Sequence, residues 1–142
     1  MSRVCVRAAS IASIVLTAAM ICAAPAGASH AANAGERRGL TDAVHASHVG
    51  GLNNVPQSHY RVTGQRISTV SRNWAVAQVV PTPQFKSSLQ SATVIAVRLA
   101  GTSQWVVVDL GTAQVGCGIA PNKVLADLFK TTTPCPPGEG IG

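Results

Sequence analysis

Gln104-Trp-Val-Val-Val-Asp-Leu-Gly111 is an apolar, β-branched run that ends in glycine, and it leads to Cys117, a helix-like stretch and Cys135. Such a run predicts a strand. The segment before it, Ala92-Thr-Val-Ile-Ala-Val-Arg-Leu-Ala100, has the same character, and Gly101-Thr-Ser103 between them is turn-prone. Together they predict a β-hairpin. Both strands are almost wholly apolar, so one face needs full cover and the other partial cover. The helix that follows supplies it. Pro121 suits a first helical turn, where its missing N–H is not needed, and Val124, Leu125, Leu128 and Phe129 recur at helical spacing. Lys130 suits the negative end of the helix, and Thr131-Thr-Thr-Pro134 stops it. So short a helix is marginal alone and must dock on the sheet.

Working upstream, residues 73–80 alternate, with Trp74, Val76, Gln78 and Val80 on one face and Ala75, Ala77 and Val79 on the other. Residues 62–70 place Val62, Ile67 and Val70 among Thr and Ser. Both segments read as strands, the first closed by Pro81-Thr-Pro83 because proline offers no donor to a ladder. The predicted fold class is α+β: a small antiparallel sheet of roughly three to five strands, a C-terminal helix packed on it, and one disulfide.

The N-terminus has a different character. Arg3 and Arg7 precede an uncharged apolar run from Ala8 to Ala24, and Pro25-Ala-Gly-Ala28 closes it with small residues, the order of a secretory signal peptide. The run is short for a membrane span, which needs about 20 apolar residues, so no stable membrane anchor is expected after its removal. Ile21 stands where lipidation of Cys22 would want a small residue, and Arg3 and Arg7 are not adjacent, which favours general export over the twin-arginine route. Residues 1–28 are assigned to the signal, with cleavage after Ala28 first and after Ala34 second. Residues 29–39 are expected to be a flexible leader, and 40–142 one small domain with its core at about 61–135. A short helix over residues 40–48 is expected, capped by Thr41 and stopped by Gly50. Cys5 and Cys22 belong to the signal, which leaves Cys117 and Cys135 as the pair for a disulfide in an oxidising compartment.

Charge excludes some partners. With Arg3 and Arg7 in the signal, nine Lys and Arg remain against five Asp and Glu, scattered except for Arg37-Arg38. Scattered charge favours solubility and weak attraction to anionic envelope polymers, whereas nucleic-acid binding calls for a denser basic stripe with aromatics. No nucleic-acid partner is expected.

Trp74-Ala75 after Ser71-Arg-Asn, Trp105-Val-Val-Val-Asp109-x-Gly111, Val115-Gly-Cys117, Ala120-Pro121-x-x-Val124-x-x-x-Leu128 and the closing Cys135 together resemble a group of small secreted actinobacterial proteins, mycobacterial ones among them. The likeness spans about Val62 to Cys135. It implies an exported, disulfide-containing α+β domain and brings no established reaction or catalytic residue with it.

Catalytic patterns find little support. His45 and His48 are three apart, and His59 adds a third nitrogen, the number of ligands a catalytic zinc site uses. Only Asp42 lies near them in sequence, so exposed polar residues are the plainer reading and no metal or other cofactor is assigned. The five carboxylates are Glu36, Asp42, Asp109, Asp127 and Glu139, and the glutamates fall in expected tails, which leaves little for a glycosidase pair. Asp109, at a strand end, is expected to hold turn backbone. No serine stands in Gly-x-Ser-x-Gly, and Cys117 between two glycines is read as a disulfide partner rather than a nucleophile. The Gly116-x-Gly118 and Gly138-x-Gly140-x-Gly142 runs lack the strand and helix setting of a phosphate loop. Trp74 and Trp105 are the candidate binding surface if both face outward, and core anchors otherwise. The sequence therefore points to an exported, non-enzymatic binding or interaction protein at the cell envelope or in the medium, with an envelope component or a protein as partner. The alternative is a small secreted enzyme or metal-binding protein using His45, His48 and His59.

Overall fold

A computed structural model describes residues 28–142. The signal-peptide assignment, apart from Ala28, lies outside these residues. The described chain forms one five-stranded antiparallel sheet whose strands lie in chain order. They are β1 (His30–Ala31), β2 (Tyr60–Ile67), β3 (Trp74–Pro81), β4 (Ala92–Arg98) and β5 (Trp105–Gly111). Two α-helices accompany them, α1 (Ala34–His45) and α2 (Asn122–Phe129). The fold is the α+β class expected, with the hairpin, the C-terminal helix and the Cys117–Cys135 disulfide in place.

The sheet is covered on both faces because β3 and β4 are apolar on both. Ala75, Ala77, Val79, Val94 and Ala96 point to one face, where Leu40 and Val44 of α1 complete the core. Val76 and Ile95 point to the other, against Val124, Leu125 and Leu128 of α2. Each of these large side chains is at least 95% buried, and burying one fully is worth about 1.5–3 kcal/mol. Gly116 lets the loop after β5 reach this second core. Its φ is +85°, and a Cβ there would stand 2.7 Å from Leu125 Cδ2.

The expected leader is ordered structure. Residues 29–39 contain β1, which pairs His30 with Ile67 and Ala31 with Arg66, and the first half of α1. The expected domain start at residue 40 therefore falls inside a helix. That helix begins earlier than Thr41 because Asn33 caps it: the Asn33 side chain accepts from the Glu36 amide at 2.9 Å, and the Glu36 carboxylate accepts from the Asn33 amide at 2.9 Å. This reciprocal box satisfies two otherwise unpaired donors. Its C-cap is Ala46, not Gly50, and Val49–Asn54 continues as a 3-10 turn in which Gly50 and Gly51 take positive φ. Asn33→Ala should cost about 1 kcal/mol, read as a lower urea midpoint with an unchanged m-value.

Candidate functional site

The two tryptophans do not share a surface. Trp105 pairs with Arg98 and Trp74 with Val97, so the two lie on opposite faces of the sheet. Trp105 is buried beside Leu40 and Ala75, with the Arg98 guanidinium 4.5 Å from its ring centroid and Glu36 3.4 Å from that guanidinium. Trp74 packs against the α2 core. Trp105 is an interior anchor and Trp74 is partly buried, so the two do not form one outward-facing binding surface.

The histidines are also separated. His45 meets the edge of Tyr60, His59 stacks on Phe85 at 3.5 Å between ring centroids, and His48 is exposed at the start of the 3-10 turn. Among the described residues, no three His, Cys, Asp or Glu side chains converge as metal ligands. Asp109 holds backbone, as expected: its carboxylate accepts from the Leu110 amide at 2.8 Å and the Gly116 amide at 2.6 Å.

Two further features carry no local motif signature in the sequence patterns. The first is a cavity of about 160 Å³ between the 3-10 turn and the sheet, lined by Leu52, Val55, Tyr60, Val79, Leu89 and Leu110 among others. Its walls are continuous with the α1-side core, so it is shaped by rigid elements. Its volume is close to the roughly 150 Å³ of a dry apolar cavity that admits benzene, and below the 300–1,000 Å³ of drug-sized sites. Tyr60 and Gln90 are the polar side chains in this wall. Burial pushes the Tyr60 phenol above the ordinary value, so it stays protonated at neutral pH, and its hydroxyl makes no hydrogen bond among the described residues. A largely apolar cavity with few donors recognises an apolar group that carries an acceptor. Two other depressions differ in character. One is threonine-rich, beside Phe129 and Pro134, and the other lies between Arg61 and Lys86 on the uncovered end of the α2 face.

The second feature is Asp127, a carboxylate 5% exposed on the buried side of α2. Its Oδ2 accepts from the Ser68 hydroxyl and the Thr69 amide, each at 2.7 Å, and from the Val70 amide at 3.4 Å. Burial alone would raise its pKa, but these bonds and the Ser29 backbone outweigh that and hold the carboxyl below its ordinary value. Around it the chain closes on itself: the Ser29 hydroxyl donates to the Asp127 carbonyl at 3.0 Å, and Arg66 Nη2 donates to the Ser29 hydroxyl and carbonyl. A sign of this node was readable, because Asp127 lies three residues after Val124, on the apolar side of the predicted helix, where a carboxylate needs partners.

Compared with described protein families, curated proteins and solved structures, the chain matches none.

Proposed function

We propose that this chain is an exported, disulfide-stabilised binding protein acting at the cell envelope or in the medium, akin to the small secreted actinobacterial proteins it resembles. The Tyr60 cavity is where it takes its ligand. The observation that carries this reading is a largely apolar cavity whose wall presents the Tyr60 phenol, kept protonated by burial, with Gln90 at its edge. The ligand class that fits is an apolar ring or short chain end bearing one acceptor oxygen, presented by an envelope lipid or by a protein side chain. The disulfide and the signal-like leader support export. Among the described residues, no helix is long and apolar enough to cross a membrane.

Cyclohexanone is a suitable probe, being an apolar ring with one acceptor. NMR titration should give saturable shifts at Tyr60, Val79 and Leu110. Tyr60→Phe should weaken the binding by about five- to tenfold, the worth of one neutral hydrogen bond, with little change in melting temperature. Shifts that do not saturate, or that map to the Arg61–Lys86 depression instead, would remove the cavity as the site.

A further inference from the structure

Asp127 presents an imbalance of charge. It is a buried carboxylate held in its ionised form, and among the described residues the one salt bridge is Arg98–Glu36, so no lysine or arginine pairs with it. Buried carboxylates are ordinarily paired. The chain segment laid against it is Ser29, 8% exposed, whose hydroxyl bonds the Asp127 carbonyl and whose backbone helps hold the carboxylate ionised. The preceding residue, Ala28, is exposed, so the Ala28–Ser29 bond marks the boundary between solvent and core. That same bond follows Ala26-Gly27-Ala28, the small-x-small pattern that a signal peptidase reads.

We propose that hydrolysis of the Ala28–Ser29 bond supplies the missing cation: the new α-ammonium of Ser29 is the counter-ion of Asp127 and locks β1 onto the finished domain. The proposal rests on the export reading above. In the step, one water is consumed. The Ala28 carbonyl carbon gains the oxygen and departs as a carboxylate, and the Ser29 nitrogen departs as an amine that is protonated to the ammonium. The neutral amide of a residue packed against Asp127 thereby becomes a charged donor, and charge-assisted hydrogen bonds are roughly twice as strong as neutral ones. The cut precedes docking. A peptidase needs extended, accessible backbone on both sides of the bond, whereas in the folded chain Ser29 is buried and His30 is paired with Ile67.

The charged groups facing the new terminus are Asp127 from α2 and Arg66 from β2, while Ser68 and Thr69 contribute neutral donors to the carboxylate. Arg66 opposes the ammonium, but its bonds run to the Ser29 carbonyl and hydroxyl, and the Ser29 hydroxyl holds this residue against Asp127 at 3.0 Å. A terminus so paired has its pKa raised above the ordinary value of about 7.7–8.0. Its stabilisation is therefore complete below that value and is lost as pH rises through the higher folded value.

The test uses the full chain secreted from an expression host, beside a second full chain with Gly-Gly inserted between Ala28 and Ser29. The insertion moves the new ammonium two residues away and leaves a neutral amide at Ser29. Mass spectrometry should find the first product beginning at Ser29. At pH 6 it should melt about 5 °C above the insertion product, and the gap should close as pH rises above about 9. Asp127→Asn in both chains should abolish the gap. Products that begin at Gly35, or that retain residues 1–28, would overturn the processing on which the proposal rests. Correct processing with equal melting temperatures at pH 6 would overturn the lock itself while leaving export intact.

Discussion

Reduction of the Cys117–Cys135 bond should lower the melting temperature by about 10–15 °C. The bond closes a loop of sequence separation 18, worth about 3 kcal/mol in the chain-entropy account, and a domain of this size loses roughly 3–5 °C per kcal/mol. The location strengthens the expectation. Asp109 and the buried Val115 and Ala120 tie the loop leaving β5 to the sheet, and both cysteines pack at the margin of the core formed by Ile95, Leu125 and Leu128, where the disulfide joins that loop to the exit of α2. Once the bond is open, α2 is an eight-residue helix held by its apolar face, too short to persist undocked. Calorimetry with and without reductant, repeated on Cys117→Ser/Cys135→Ser, measures the effect. Equal melting temperatures would remove the disulfide's structural role.

Asp127→Ala should be the most damaging single change to a polar side chain, costing about 3–5 kcal/mol. It strands the buried Ser68 hydroxyl and the part-buried Thr69 amide together, while the Val70 amide keeps its bond to Ser68 Oγ at 3.2 Å, and an unsatisfied buried group costs about 1–3 kcal/mol. The pH dependence follows from the direction of the shift. Burial raises the Asp127 carboxyl, the hydrogen bonds lower it by more, and the net pKa lies below the ordinary 3.8. A carboxyl depressed in the folded state stabilises fully above its unfolded pKa, and that contribution disappears as pH falls through the folded value. The stability gap between wild type and Asp127→Ala in urea unfolding should therefore be widest near neutral pH and should narrow below pH 3.8. A gap independent of pH would show that the carboxylate's charge plays no part.

Strands β3, β4 and β5 and helix α2 were readable because the core imposes its period on them. Val76 and Ile95 face α2 while Ala75, Ala77 and Val94 face α1, so every second residue was under constraint. The N-terminal elements escaped because long-range contacts hold them. β1 is two residues long, and its neighbour Ser29 is fixed by Arg66 and Asp127, which no local pattern announces. Helix α1 has only Leu40 and Val44 fully buried, which left its apolar face thin, although the Asn33-x-x-Glu36 capping box did mark its start. The tryptophans were ambiguous for another reason. Their faces depend on register, and the β4–β5 ladder slips between Ile95 and Ala96, which sequence alternation does not record. The cavity was beyond reach altogether, since it is formed by a 3-10 turn crossing the sheet at Gly50, where a Cβ would stand 2.7 Å from Leu110.

The strands lie in chain order, so each hairpin from β2 to β5 can close as soon as its second strand exists. Ser29 is the exception, since its partner Asp127 lies 98 residues further on. At a synthesis rate of about 5–20 residues per second, that partner emerges roughly 5–20 s later. Strand β1 can close on β2 once Ile67 exists, but Ser29 is among the last residues to find its partner, and for that interval its hydroxyl and the Ser68 and Thr69 donors stand open to whatever meets the nascent chain.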